Sequence, residues 1–464
     1  MRSIFWTLPL PATARPEPEG LILRYGPVWL ALLVVLVYAN ALQGVFQFDD
    51  YNVIVDQEAV QSLPAFWADW GQGIRPLLKL SYLLNWASGW GVVGFHVFNI
   101  GVHLAVVLLV YQLGCLLLRA RGLETRMPHA ALAGAALFAC HPAHTEAVTY
   151  ICGRSSSFMA LLFLAGLWLH ANAHGPGRRW LAALCLVLAL AVKETAVTFP
   201  LALLLWDRFS GKSWRTALHG AWHCWAVLLL AAVFFLLNDA YREAMVRSLE
   251  FNSLAGNLAT QVQAVGYLMR QWAVPLWLNI DPDLSVQHGL LAGGVGGVAL
   301  VLMVGGTLWA WRKYPLWGFA LAWALLDWVP LYLFLPRLDV ANDRQLYLAT
   351  WPLCVVLVVE LHQRLPRHAS YAAIAAMVLG CAALTVLRNQ DYRSEIALWE
   401  QTASLSPAKS RVHNNLGYAY MEARRTADAR QQYLRALQLD AGNIKARLNL
   451  RRMNAQAAGS HGGP

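Results

Sequence analysis

Long apolar stretches separated by short charged segments dominate the sequence up to Arg388. A transmembrane helix needs about 20 mostly apolar residues to cross the hydrocarbon core of a bilayer. Eleven stretches reach or approach this length, at residues 27–44, 96–118, 129–150, 155–173, 180–192, 195–206, 217–237, 290–311, 316–335, 346–362 and 371–387. The pattern therefore predicts an all-α polytopic membrane protein of about 11 transmembrane helices. The fifth and sixth stretches are short, which indicates a tight hairpin or a partly re-entrant pair.

Basic residues recur in alternate connections between these stretches, which is typical of cytoplasmic loops. They are Arg2, Arg15 and Arg24; Arg119, Arg121 and Arg126; Arg178 and Arg179; Arg208, Lys212 and Arg215; Arg312 and Lys313; and Arg364 and Arg367. The rule places residues 44–95 (outer loop 1), 241–288, 336–345 and everything after Arg388 on the opposite, outer face. This holds only if the segment 252–280 begins and ends on the outer face. Its sequence is compatible with an interfacial helix.

Composition narrows the class of protein further. Hydrophobic residues make up 58% of the 464 positions and charged residues 13%, so the lipid bilayer must be the main solvent. The net charge of +10 arises from short clusters between apolar stretches rather than from one basic face, which argues against nucleic acid as a partner. The seven cysteines include no CxxC pair, so neither a zinc ribbon nor a disulfide framework is indicated.

After Arg388 the sequence changes to a charged, alanine-rich amphipathic pattern. Its spacing fits one tetratricopeptide (TPR) repeat, with packing positions at Leu416, Gly417, Tyr420, Ala429, Tyr433 and Ala436. We therefore divide the chain into a membrane domain at 1–388, an outer TPR-like helical tail at 389–456 and a disordered end at 457–464. A single repeat is too small to be stable alone, so the tail should pack against the membrane domain or a partner.

The first candidate site is the acidic pair Asp49-Asp50 in outer loop 1, followed by Tyr51 and Asn52. Two adjacent carboxylates near a membrane surface suit base catalysis, because low dielectric and mutual repulsion raise the pKa of one of them. A capped helix start is the structural alternative. Farther along the same loop, Arg75 beside a proline could bind a phosphate through paired N–H donors. An interfacial arginine is the alternative there.

A second group of candidates follows the third apolar stretch. His141, His144 and Glu146 carry ligand types suited to a divalent metal, although three polar residues can also simply end an apolar helix. A divalent metal is therefore a candidate cofactor, although no motif in the sequence requires a cofactor.

Two further polar segments complete the set. Lys193-Glu194 lies between the two short stretches and so within the membrane if they form a re-entrant hairpin. Charged residues there are either functional or form a structural pair that neutralises itself. Arg344, with Tyr347 after it, precedes a late helix on the outer face. The informative point is that these candidates share one face of the predicted membrane domain.

The order and spacing of these motifs resemble one family along nearly the whole chain. The segments FDDYNVI, GIRPLLKLSY, GFHVFNIGVHL, HPAHTEAVTYICGRSS, AVKETAVTFP and DRQLYLATWPLC, followed by a TPR tail, are similar to the transmembrane and TPR-repeat-containing protein O-mannosyltransferases. These belong to the GT-C superfamily of glycosyltransferases, which use polyprenyl- or dolichyl-phosphate sugars. The chain departs from the family in its short tail.

The resemblance implies counterparts for several candidate residues. Asp49 and Asp50 would be the family's acidic pair, Arg75 would lie in the loop segment near the donor phosphate, and Arg344 would be an outer basic residue. We expect Asp49 and Asp50 to be catalytic, and Arg75, Arg344 and Lys193 to bind the donor phosphate. Tyr51, Asn52, Glu194 and Tyr347 would serve the acceptor or the local structure. The implied partners are a polyprenyl-phosphate sugar, a protein or glycan acceptor and the bilayer.

The reaction that we expect is an inverting sugar transfer to an acceptor, such as a Ser or Thr of a secreted protein. The compact architecture without a eukaryotic-style signal suggests, by analogy, a bacterial inner-membrane protein with its site on the periplasmic face. The alternative function is a non-catalytic membrane scaffold that recruits an envelope partner through its tail.

Overall fold

The computed structural model describes residues 23–71, 73–250, 253–287, 289–334 and 339–460. Within these ranges the regular structure is helical throughout, with no β-strand. The helices of the apolar part are α1 (Gly26–Tyr38), α2 (Leu63–Asp69), α3 (Pro76–Ala87), α4 (Gly91–Arg119), α5 (Ala130–Cys140), α6 (Thr145–Val148), α7 (Arg154–Ala171), α8 (Pro176–Leu190), α9 (Phe199–Phe209), α10 (Trp214–Leu237), α11 (Asp239–Leu249), α12 (Leu254–Ala273), α13 (Leu290–Lys313), α14 (Pro315–Trp328), α15 (Pro330–Phe334), α16 (Leu346–Ala349), α17 (Trp351–Arg364) and α18 (Arg367–Asp391). The tail contains α19 (Glu395–Leu405), α20 (Ser410–Glu422), α21 (Thr426–Leu439) and α22 (Ile444–Ser460).

Six helical segments in the described ranges are long and apolar enough to cross a bilayer: Gly26–Gln43, Gly91–Arg119, Ile151–Ala171, Trp214–Leu237, Leu291–Lys313 and Arg367–Asp391. A seventh span results if Asp343–Ala349 and Trp351–Arg364, bent by 66°, form one broken helix. The all-α polytopic architecture is thus confirmed. The count of eleven is not, because the other predicted stretches form shorter helices, and at about 1.5 Å per residue these fall short of the hydrocarbon thickness.

The predicted span at 129–150 is interrupted where α5 ends at Cys140. Pro142 lacks an N–H and disfavours helical backbone in the residue before it, and His141 is extended, with φ −68° and ψ 121°. The chain then folds through short turns to Gly153, where a Cβ atom would lie 1.8 Å from the carbonyl oxygen of Glu146. Only glycine fits this turn, which brings residues 150–154 against residues 146–147.

The two short apolar stretches are separate helices, α8 and α9, joined by residues 191–198. This connection contains a 3₁₀ turn at Glu194–Thr198, and Lys193 before it is buried. The predicted break at Lys193-Glu194 is therefore present.

Apolar side chains from α1, α4, α7, α14 and α17 meet in one continuous core. Val34, Val110, Leu164, Phe319 and Trp351 are fully or almost fully buried there. The core fixes the relative positions of the helices, and polar segments are left at its two ends.

The connections at one end of the bundle are the predicted basic loops, which meet one another. The guanidinium of Arg121 lies 4.2 Å from the centre of the Phe209 ring, and Phe209 packs edge-on against Trp311. The predicted outer segments meet at the opposite end, as described below. Which membrane face each end occupies stays a prediction. Arg2, Arg15 and residues 336–338 of one outer segment lie outside the described residues.

The tail forms an antiparallel hairpin of α20 and α21, flanked by α19 and α22. The six predicted packing positions are all buried: Leu416, Gly417, Tyr420, Ala429, Tyr433 and Ala436. A Cβ atom at Gly417 would lie 2.7 Å from the Tyr433 ring, so glycine allows the close approach of the two helices. The assignment to the TPR class stays a prediction. The last helix continues to Ser460 within the segment predicted to be disordered, and residues 461–464 lie outside the described residues.

Candidate active site

The acidic pair lies on a turn in which Phe48 adopts the left-handed conformation, with φ 49°. The two carboxylates have different surroundings. Asp50 is fully buried, and its oxygens accept hydrogen bonds from the N–H groups of Gln47 (3.0 Å) and Cys152 (2.8 Å). Burial raises the pKa of Asp50 to about 7. Asp50 therefore ties outer loop 1 to the turn before α7.

Asp49 is only half-buried and faces charged groups. Its backbone N–H donates to the Tyr150 hydroxyl at 3.1 Å. Burial raises the pKa of Asp49, the cations Arg344 and Arg411 oppose this shift, and Asp339 adds to it. A carboxylate with a raised pKa and an accessible face can accept a proton, so Asp49 is the better candidate for a general base.

Arg344, whose charge acts on Asp49, is held in place by Glu146. One carboxylate oxygen of Glu146 accepts the backbone N–H of Arg344 at 3.2 Å, and the other lies 3.5 Å from its Nε. The Glu146 and Arg344 side chains are 4% and 14% exposed. A partly desolvated arginine with a fixed backbone can bind an anion without being reorganised first.

The structure does not support a metal site at His141, His144 and Glu146. His141 Nε2 lies 3.0 Å from the Trp272 carbonyl oxygen, while the nitrogens of His144 contact the Phe138 carbonyl (2.8 Å) and the Thr350 hydroxyl (3.1 Å). Across the part of the chain that the structure describes, no three His, Cys, Asp or Glu side chains are grouped to hold a metal. Instead, the two imidazoles form hydrogen bonds that connect neighbouring segments, and Glu146 binds Arg344.

Lys193 and Arg344 line one small cavity of about 10 Å³. The Lys193 ammonium donates to the Ser156 hydroxyl at 2.7 Å. Asp327, Tyr332 and Gln345 also line this cavity. Two of the three cations predicted to bind phosphate are thus brought together from segments 150 residues apart.

The third cation, Arg75, pairs with Glu194. Its Nε and Nη2 donate to the two carboxylate oxygens of Glu194 at 2.9 and 2.8 Å. Arg75 has φ 55°, and its backbone N–H donates to the Tyr241 hydroxyl at 3.1 Å. Glu194 therefore orients Arg75 and neutralises part of its charge.

An apolar groove of about 340 Å³ begins beside this pair. It runs between α8 and α10 and includes Pro76, Leu190, Phe234 and Tyr241. Since Pro76 follows Arg75 in sequence and Tyr241 binds the Arg75 backbone, the Arg75 backbone borders the groove. The groove can hold an aliphatic chain whose polar end reaches Arg75.

The remaining predicted residues separate into two groups. Tyr51 and Asn52 are exposed on the surface of outer loop 1. Tyr347 is buried, and its hydroxyl lies 2.6 Å from His103 Nδ1 inside the bundle, so it has a structural role.

Sequence reasoning missed several residues around the site. Asp327 is a lone acid in an apolar stretch, a signal that could have found it. Tyr150, Glu395 and Arg411 carried no such signal, because tyrosines are common near the ends of membrane helices and charges are common in a soluble tail.

Fold and site together define a helical membrane protein with an acid- and arginine-lined polar end beside an apolar groove. The chain belongs to glycosyltransferase family 87, whose family model matches residues 80–336. The match lies between the acidic pair and Arg344.

Similar proteins carry a consistent description. The chain is 25% identical over 453 residues to a protein O-mannosyl-transferase of Caenorhabditis elegans, covering 89% of this chain and 62% of that protein. It is 24% identical to protein O-mannosyl-transferase Tmtc3 of Drosophila melanogaster, covering 95% and 57%, and 24% identical to TMTC4 of Homo sapiens, covering 84% and 64%. The chain thus spans about 60% of the length of these relatives. The family resemblance read from the sequence is confirmed. No solved structure matches.

Proposed function

We propose that this protein transfers a sugar from a polyprenyl-phosphate donor to an acceptor hydroxyl, with inversion at the anomeric carbon. The observation that carries the proposal is the position of Asp49, half-buried and near Arg344, while Asp50 is occupied by two backbone N–H groups. Asp49 thus interacts with the Tyr150 hydroxyl and lies within the electrostatic reach of the Arg344 cation.

The proposed chemistry uses Asp49, Arg344 and Lys193 in one step. Asp49 removes the proton of the acceptor hydroxyl as its oxygen attacks the anomeric carbon from the face opposite the phosphate. The bond from that carbon to the phosphate oxygen breaks, and polyprenyl phosphate leaves with the bonding electron pair. Arg344 and Lys193 stabilise the negative charge that grows on the phosphate.

The apolar groove supports a lipid-linked donor rather than a nucleotide sugar. A polyprenyl chain in the groove between α8 and α10 would carry its phosphate toward Arg75 and the Lys193-Glu194 connection. Arginine suits this position because its planar guanidinium can bind Glu194 with one edge and a phosphate with another.

The acceptor and the membrane face are part of the same proposal. The relatives are described as protein O-mannosyl-transferases, so we propose mannose as the sugar and a Ser or Thr of a secreted protein as the acceptor. The basic loops at the opposite end favour a site and tail on the outer face, the periplasmic face in a bacterial inner membrane.

The test uses the purified full chain in lipid nanodiscs. Mannosyl polyprenyl phosphate and a mannose nucleotide are each offered with a pool of Ser- and Thr-containing peptides from secreted proteins. We expect a mass gain of one hexose from the lipid donor only, with inverted anomeric configuration. Transfer from the nucleotide, a retained configuration or the absence of any transfer would overturn the proposal, and the last outcome would favour the scaffold.

A further inference from the structure

The first helix of the tail contacts the turn that carries the acidic pair. The carboxylate of Glu395 accepts the backbone N–H of Phe48 at 2.9 Å. The Phe48 ring packs edge-on against Trp399, with ring centres 5.1 Å apart. The Gln47 amide donates to the Tyr392 carbonyl at the end of α18. Residues 47 and 48 are thus held by residues that follow them by about 345 positions.

This contact coincides with the strained point of the loop. A residue other than glycine pays a steric penalty in the left-handed region, and phenylalanine has no side-chain hydrogen bond to offset it. Phe48 nevertheless has φ 49° directly before Asp49. Such a conformation persists only where surrounding contacts enforce it. Here those contacts come from Glu395 and Trp399.

Glu395 is well placed to act on Phe48 alone. It is the first residue of α19 and is half-buried, while Ser394 caps the helix by accepting the N–H of Ala397. The helix therefore has its own cap and does not depend on the Glu395 side chain.

The tail is attached to the membrane domain at other points as well. Arg411 binds Asp281 at 2.7 Å and Asp339 at 2.6 Å, and the Asn279 amide donates to the Ser406 hydroxyl at 2.7 Å. The loss of one hydrogen bond at Glu395 should therefore leave the tail docked.

We propose that Glu395 is a positioning residue for the transfer reaction: it holds Phe48 in the left-handed turn and thereby keeps the Asp49 carboxylate beside Arg344. This inference rests on the function proposed above. It makes α19 part of the active centre, so the tail is more than a module for acceptor recognition.

The experiment compares three substitutions of Glu395 in the purified full chain. Glu395→Gln keeps the accepting oxygen without the charge, Glu395→Asp keeps the charge but is one methylene too short, and Glu395→Ala removes both. Glu400→Ala is the matched control, since Glu400 lies on the same helix and binds Tyr420 within the tail. Donor KM and kcat are measured, together with hydrogen exchange of a peptide spanning residues 44–52.

We expect Glu395→Ala and Glu395→Asp to lower kcat about tenfold or more, because small displacements of a reacting group are costly, while the donor KM stays within about twofold. Both should speed exchange at the Phe48 amide. Glu395→Gln and Glu400→Ala should resemble the wild type in every measurement.

Two results would overturn the inference while the proposed function stands. One is a normal kcat in Glu395→Asp or Glu395→Ala with an active wild type. The other is a loss in Glu395→Gln as large as that in Glu395→Ala. An inactive wild type would overturn both the function and this inference.

Discussion

The two ends of the helical bundle use charge in opposite ways. At the basic end, Arg119 pairs with Glu124, 62% and 41% exposed, and Arg364 pairs with Glu360; both pairs join residues close in sequence. At the site end, two pairs are more buried and join distant segments: Arg75 with Glu194, and Arg344 with Glu146, which is 4% exposed.

The difference indicates what each set of charges does. Exposed local pairs contribute little to stability. We propose that the arginines at the basic end instead orient the chain in the membrane. Desolvated pairs between distant segments are costly to form and are kept where geometry matters. The site end therefore has the properties of a preorganised binding site.

The largest effect that separates the two ends is expected from Asp49→Asn. It should lower the transfer rate about 10²- to 10⁴-fold, because asparagine keeps the shape but cannot take the proton. Donor binding and thermal unfolding of the purified protein should stay unchanged. Asp50→Asn is the variant to compare with it. Its NH₂ group would face a backbone N–H donor, so this substitution should also lower the melting temperature. Normal transfer by Asp49→Asn would remove the distinction between the two aspartates.

The next effect concerns donor affinity. Arg344→Ala should weaken binding of a mannosyl polyprenyl phosphate about tenfold to a hundredfold, since a charge-assisted hydrogen bond is worth about 1.5–3 kcal/mol. Arg344→Lys should recover only part of this loss. Arg119→Ala at the basic end is the control and should bind normally. Equal affinities of the Arg344→Ala variant and the control, measured by calorimetry in nanodiscs, would contradict the assignment.

A smaller effect compares the ion pairs themselves. A double-mutant cycle on Arg75 and Glu194 should give a coupling of about 1–2 kcal/mol in unfolding free energy, as found for side chains in direct, partly buried contact. The same cycle on Arg119 and Glu124 should give about 0.2–0.5 kcal/mol, because exposed pairs are screened by water and salt. Similar couplings at both ends would show that burial does not distinguish these pairs.

The smallest effect is a shift in pH dependence. Asp49 must be ionised to act as a base, so transfer should fall at acidic pH as its raised pKa is crossed. Asp339 raises the pKa of Asp49, and Arg411 lowers it. Asp339→Asn should therefore extend activity to lower pH, and Arg411→Gln should move the acidic limb to higher pH. Shifts in the same direction would exclude Asp49 as the group that controls the profile.

The sequence by itself determined the all-helical membrane architecture and located most of the candidate site residues. Apolar runs make the spans helical because a backbone in lipid must satisfy its own hydrogen bonds, and basic clusters mark one end because charge resists crossing a bilayer. Both effects act on short segments, so they can be read from the linear order. The same reasoning placed Asp49, Arg75, Lys193 and Arg344 at one end, where the structure brings them together.

Only the tertiary structure decided which groups each of these residues contacts. Asp50 is turned away from the cations because it accepts the N–H of Cys152, 102 residues farther along the chain. The turn at Phe48, which precedes the acidic pair, donates its N–H to Glu395, 347 residues farther along. The histidines of the predicted metal site are hydrogen-bonded to backbone carbonyls and a hydroxyl group of other segments. Such outcomes rest on which distant groups happen to satisfy a buried donor or acceptor, and that is fixed by packing rather than by any local pattern.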